Sequence, residues 1–245
     1  MAKYILFDTE TTGNMEYDRI IQIGALIVHD KNNIEVFDEL CSSEVPISID
    51  AMAVHHITPE LIENKPKFIE SNFYKELQKY NSNENFLIAH NISFDLEMLK
   101  KEGFENSYTI IDTLRCAKHL LADEKSHALQ YLRYSLELYK TETEEANKLG
   151  ISIKAHDAIS DVLVMKLLLS KLVETAGNIH GKKEIMEVLA CLTQEPVLIK
   201  TFKFGKYKDR ALADIAKEDF GYLEWMRKNL ELDEDLRYTL DYYIN

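Results

Sequence analysis

Residues 7–13 read Phe-Asp-Thr-Glu-Thr-Thr-Gly, two carboxylates, Asp8 and Glu10, set among hydroxyls at the end of the apolar run "KYILF" (3–7). An acidic pair two residues apart is ordinary on a solvated loop and means little by itself. Here it closes what reads as a short buried strand, where carboxylates are costly unless something positive lies between them. Residues i and i+2 of a strand point to the same face. If the strand continues through Glu10, both acids converge on one point, as a site that collects divalent cations requires. The "TTG" that follows supplies a turn where backbone can approach a ligand closely.

Two further acids stand where they could meet this pair. Asp95, in "AHNISFDLEML", falls in the first turn of a helix that follows a buried strand, and Asp161, in "AHDAISDVLVM", lies one turn into a long apolar helix. His156 stands just outside the start of that second helix. Taken singly, each has a bland explanation. Asp95 can serve the helix dipole, worth about 0.3–1 kcal/mol, and His156 can be an ordinary core or surface histidine. Asp161 can sit on an exposed face, although its helix is so apolar that an unpaired carboxylate would be costly there. Each explanation is reasonable alone, but four such coincidences together are not.

The elements that must position these groups follow from the apolar pattern. "KYILF", "RIIQIGALIV" (19–28) and "IEVFDEL" (34–40) read as strands, and the polar "HDKNN" (29–33) joins the last two as an antiparallel hairpin. "FLIAH" (86–90) and "YTIID" (108–112) are two more. Between them lies the helix of Asp95, with lysines in its last turn and Gly103 as its stop. Helical patterns follow around 113–121 and 128–138, then a helix over 157–176 with Asp157 as N-cap and Gly177 as its end. Strands first, then strands alternating with helices, give an α/β domain over 1–176 with a mixed sheet flanked by helices. Residues 177–198 read as a linker with a short helix on Ile185, Val188, Leu189 and Leu192. Residues 199–245 read as a small module that opens on a strand-like basic and aromatic segment and continues in helices.

At 245 residues the chain suits one well-buried domain and a smaller companion, with 46% hydrophobic and 29% charged residues as in soluble globular proteins. The most apolar stretch, "VLVMKLLLSKLV" (162–173), is broken by two lysines, so no membrane span is expected. Its N-terminus has an acid where a signal peptide would still need apolar residues, and Cys41, Cys116 and Cys191 show neither disulfide nor zinc spacing. A cytoplasmic location is expected. A net charge of −13 argues against a surface coated with phosphate contacts. The charge is uneven: residues 200–210 hold five Lys/Arg against one Asp.

The three motifs "FDTETTG", "HNISFD" and "HDAISD" resemble those of the DnaQ-like, or DEDDh, 3′→5′ exonucleases, in order and in the histidine five residues before the last aspartate. "AVHHIT" (53–58) and "IDTLRCAKHL" (111–120) resemble two intervening segments of the family, with His56 where glycine is usual. "FKFGKYKDRALADIAKEDFGYLEWM" (202–226) resembles the C-terminal segment of exodeoxyribonuclease X-like proteins, with Asp209 in place of a glycine. The resemblance implies a ribonuclease H-like fold with a five-stranded mixed sheet and a small C-terminal α+β module. It implies two Mg²⁺ or Mn²⁺ ions, with Asp8, Glu10 and Asp161 holding one, Asp8 bridging to the second, and Asp95 acting near the second through water. His156 would be the general base. The terminal nucleotide would meet main chain around Thr9 to Thr12 and the side chains of His55, Asn91 and Phe94. Lys203, Lys206 and Lys208, interleaved with Phe202, Phe204 and Tyr207, suit a single-stranded nucleic acid, although the same rings can form the module's own core. DNA 3′ ends are the expected partner. Two alternatives stay open: an RNA 3′ exonuclease similar to oligoribonuclease or ribonuclease T, and a proofreading or adaptor subunit within a polymerase or repair complex.

Overall fold

The computed structural model describes residues 2–154, 157–181, 184–202 and 204–244. Five strands form one mixed sheet: β1 (Tyr4–Thr11), β2 (Ile20–Asp30), β3 (Asn33–Leu40), β4 (Phe86–Ala89) and β5 (Thr109–Asp112), in the order β3-β2-β1-β4-β5. β1, β2 and β3 are antiparallel neighbours, whereas β4 pairs parallel with both β1 and β5. Alternate residues of β1 serve opposite faces, Leu6 joining one core and Ile5 and Phe7 the other. A sheet covered on both faces needs such continuous apolar runs. The expected hairpin and all five strands are present.

Helices in the first part of the chain are α1 (Ile49–His55), α2 (Pro59–Ile62), α3 (Asn72–Lys79) and α4 (Ile92–Lys101). Those after β5 are α5 (Thr113–Leu120), α6 (Leu129–Ser135), α7 (Tyr139–Leu149), α8 (Ala158–His180) and α9 (Ile185–Gln194). Phe73 and Leu77 of α3 and Met98 and Leu99 of α4 pack under the Ile5/Phe7 face. α8 lies on the opposite face, between the sheet and α5, α6, α7 and α9, which explains its near-continuous apolar character: Val162, Leu163, Leu168 and Leu172 are all fully buried. Each such side chain contributes about 1.5–3 kcal/mol of transfer free energy.

Two features differ from expectation. α8 does not stop at Gly177 but runs on to His180, and Gly181, at φ 88°, ends it. A mid-helix glycine costs only about 0.5–1 kcal/mol, which the packing of this helix outweighs. The short helix expected within 177–198 is α9. It lies against β5, α5 and α8, with Leu189 and Ala190 in the larger core, because its apolar stripe covers the open edge left beside β5. The strand-like segment at the start of the C-terminal module is a turn. Among the described residues its β pairing is a single bridge between Thr201 and Ala211, and Gly205 and Asp209 take positive φ between them. The module continues as α10 (Leu212–Glu218), α11 (Phe220–Asn229) and α12 (Glu234–Ile244) around Phe202, Leu212, Leu223, Met226 and Leu240.

Candidate active site

β1 does continue through Glu10, so Asp8 and Glu10 share the face on which α8 lies, paired with Gly24 and Gln22 of β2. Gly24 has a steric purpose. A Cβ there would lie 2.2 Å from the Ile159 nitrogen and 2.3 Å from the carbonyl carbon of Ala158. The first turn of α8 therefore rests directly on the sheet backbone opposite Asp8, and Asp161 comes down two residues further along. Gln22 fixes the same junction: its amide donates to Asp157 Oδ1 at 2.8 Å and to Asp38 Oδ1 at 3.1 Å.

Asp95 arrives from the other side. Asn91, in the left-handed conformation at φ 70°, turns the chain from β4 into α4. Its N–H donates to Asp112 Oδ1 at 3.0 Å, which ties this turn to the start of α5. Asp95 is 3% exposed, and Thr9 Oγ1 donates to its Oδ1 at 2.6 Å. Thr9, whose side chain points away from Asp8, thus orients a carboxylate.

Burial and neighbouring carboxylates act together on these acids. Asp8 is pushed well above the carboxylate range, first by burial and then by Asp95, Asp161 and Glu10. Glu10 is raised to about 8 by burial, Asp161, Asp95 and Asp157. Asp95 is raised to about 7 by burial, against the opposing bond from Thr9. Among the described residues no Lys or Arg is paired with Asp8, Glu10 or Asp95. Among the described residues no three His, Cys, Asp or Glu side chains stand together as a ready-made ion site; Asp161 Oδ1 is engaged by the Gln130 amide at 2.6 Å, as Asp95 is by Thr9. The donor set nevertheless fits a hard divalent cation. It is all carboxylate oxygen, and mutually raised acids are what such a cation would relieve.

His156 and Lys203 lie outside the described residues. Of the expected substrate contacts, Asn91 is exposed and Phe94 is partly buried against the α4 core. Thr12 is fully buried, its hydroxyl donating to Asp18 Oδ1 at 2.6 Å. Gly13 leaves room for this carboxylate, since a Cβ there would meet Asp18 Oδ2 at 2.6 Å. His55 is buried, with Nε2 on the Thr11 carbonyl at 3.2 Å and Nδ1 accepting from Ile57 N at 3.0 Å. That pairing requires the neutral ring, consistent with a pKa lowered by burial. As side chains, Thr12 and His55 therefore hold the loops at the end of β1. His56 takes the left-handed conformation at φ 60°, ψ 15°, so the loop keeps a glycine-like path without the glycine. Asp209 does the same at φ 66°.

In the C-terminal module, Phe202 is core and Tyr207 packs beside it, while Phe204 is 49% and Trp225 50% exposed. Lys206 pairs with Asp219 at 3.0 Å and lies 4.6 Å from the centre of the Tyr207 ring, and Arg210 pairs with Glu218 at 2.6 Å. Lys208 is exposed. Sequence reasoning missed Gln22 and Gln130, because a lone glutamine has no signature until its partner is in place.

Residues 5–169 match the Exonuclease family, and residues 202–231 match the exodeoxyribonuclease X-like C-terminal family. The chain belongs to the exonuclease family. As a member it is an enzyme of the 3′→5′ exonuclease class. It is 30% identical over 245 residues to Exodeoxyribonuclease 10 of Escherichia coli (strain K12), covering 98% of this chain and 97% of that protein. It is also 30% identical over 149 residues to a DNA polymerase III PolC-type of Bacillus cereus, covering 58% of this chain but 10% of that polymerase. Exonuclease X, solved in complex with 5′ overhanging duplex DNA, shares the fold at a TM-score of 0.55 and 24% identity, over 78% of this chain and 99% of that one. The zinc-bound form of E. coli ExoI in a complex with single-stranded DNA aligns at a TM-score of 0.53 and 18% identity, over 77% of this chain and 42% of that one. The five-stranded sheet with its helices is thus the exonuclease fold. Among the described residues, no helix is long and apolar enough to cross a membrane.

Proposed function

We propose that the protein releases nucleoside monophosphates from the 3′ end of DNA, with two Mg²⁺ or Mn²⁺ ions held by Asp8, Glu10, Asp95 and Asp161. One observation carries the reading: carboxylates from α4 and α8 act on Asp8 and Glu10 of β1 and raise their pKa, and no Lys or Arg among the described residues is paired with Asp8, Glu10 or Asp95. Bound ions of this kind supply a nucleophilic hydroxide near neutral pH and offset the charge that builds on the phosphoryl group. Asp8, on which Asp95, Asp161 and Glu10 all act, would be shared between the ions, with Glu10 and Asp161 holding one and Asp95, oriented by Thr9, serving the other. His156 takes the proton from the attacking water, an imidazole of ordinary pKa about 6.5 being suited to that near neutral pH. It directly precedes Asp157, which Gln22 anchors. Asn91, Phe94 and the main chain of Thr9 to Thr12 meet the terminal nucleotide. In the C-terminal module, Lys208 with the half-exposed rings of Phe204 and Trp225 supplies a contact for the strand beyond.

DNA is favoured over RNA by the near full-length similarity to Exodeoxyribonuclease 10. The test is incubation of the purified chain with Mg²⁺ and end-labelled DNA and RNA strands, free or blocked at either end. Stepwise loss of mononucleotides from free 3′ ends of DNA is expected. Cleavage of 3′-blocked circles would contradict an exonuclease, and preferential loss from RNA would move the substrate to RNA.

A further inference from the structure

We propose that Gln130 is a positioning residue for this reaction, holding Asp161 in the orientation that ion binding needs, with Arg133 and Glu142 acting through it. The inference rests on the reading of Asp161 as a metal carboxylate. Gln130 Nε2 donates to Asp161 Oδ1 at 2.6 Å, and Gln130 Oε1 accepts from Arg133 Nη1 at 3.1 Å. Arg133 is in turn gripped at both ends of its fork, Nε and Nη2 each 2.8 Å from an oxygen of Glu142, which is 2% exposed.

The chemistry of the chain of bonds sets its direction. An amide has one donor end and one acceptor end, whereas guanidinium only donates. Arg133 must therefore face the Gln130 oxygen, which turns the NH₂ group towards Asp161. A bidentate pair anchored on a buried carboxylate is rigid, so the amide cannot flip. The bond fixes Oδ1 of Asp161 and with it the plane of the carboxylate. α6 carries Gln130 and Arg133, and α7 carries Glu142, so two helices that supply no ligand of their own set the geometry of one that α8 supplies. Partners of this outer kind typically change metal affinity by about 10–100-fold.

The experiment measures the Mn²⁺ dissociation constant of the full chain by electron paramagnetic resonance of free Mn²⁺. It compares wild type, Asp161→Asn, Gln130→Leu, Arg133→Lys and the Gln130→Leu/Arg133→Lys double variant, with metal-free melting as the structural control. Asp161→Asn and Gln130→Leu are both expected to weaken binding, the latter about tenfold, with melting within a few degrees of wild type. Arg133→Lys should weaken it less, and add nothing once Gln130 is leucine. If Gln130→Leu melts far below wild type, Gln130→Met, unbranched and similar in length but without the amide donor, is read instead and should weaken binding too. Unchanged affinity in the readable Gln130 variant, beside a weakened Asp161→Asn, overturns the positioning role and leaves the metal reading standing. Unchanged affinity in Asp161→Asn overturns the metal reading and the inference with it. Additive effects in the double variant overturn the relay through Arg133.

Discussion

Burial, with neighbouring carboxylates, pushes the pKa of Asp8, Glu10 and Asp95 upward in the metal-free chain. A carboxyl whose pKa is higher in the folded chain stabilises that chain while it keeps its proton. The contribution is fully present below the unfolded value and is lost as pH rises through the folded one. For Glu10 that window runs from about 4.5 to about 8, and Asp95 loses its share by about 7. The metal-free protein should therefore melt at progressively lower temperature between pH 5 and 8, and saturating Mg²⁺ should flatten the slope; calorimetric melting with and without EDTA checks this. His156→Ala should slow turnover by about 10²–10⁴-fold and remove the lower limb of the pH–rate profile, and an unchanged profile would assign the proton to another group. Asp8, Glu10, Asp95 and Asp161 stand on the strand and in the first helical turns where periodicity puts them without knowledge of partners. Thr9, Thr12 and His55 were legible as neighbours of the site, but what they touch was not. The bonds of Thr9 and His55 cross 86 and 44 residues of chain, a separation no local pattern encodes, and that of Thr12 crosses 6 but depends on the path of an irregular loop.

The contact of α8 with β2 decides whether Asp161 reaches the others. Gly24 permits it, since the backbone of Ala158 and Ile159 occupies the space a Cβ would need. Gly24→Ala is expected to lift the first turn of α8, cost about 3 kcal/mol and weaken Mn²⁺ binding. Urea unfolding and metal titration would show both effects, and a variant with wild-type values would mean that the sheet yields there instead. Apolar spacing revealed α8 but not its end. Gly177 is a common stop signal, yet tertiary packing carried the helix past it to Gly181, which takes the positive φ. The same limit applies to 202–207, where alternating rings and lysines imitate a strand. Phe202 turns inward and Gly205 breaks the run.

At the scale of the whole molecule, every candidate catalytic residue precedes α9, and the C-terminal module is tied on by Asp235 of α12. Its Oδ1 accepts from Val197 N at 2.8 Å and from Arg115 Nη2 at 3.1 Å. Asp235→Ala leaves both donors without this partner and should cost about 1–3 kcal/mol while leaving Mn²⁺ affinity unchanged, read by melting and titration of the same samples. The sequence reads as a larger domain and a small module with the α9 segment between them, because its apolar stripe does not say which core it joins. The central claim is that acids brought from β1, α4 and α8 hold divalent ions together. Its most direct test is the number of Mn²⁺ ions bound per chain by wild type and by Asp8→Asn. The account predicts two ions in the wild type and loss of tight binding in a variant that still folds. No tight Mn²⁺ binding by the wild type, or equal binding by both proteins, would contradict it.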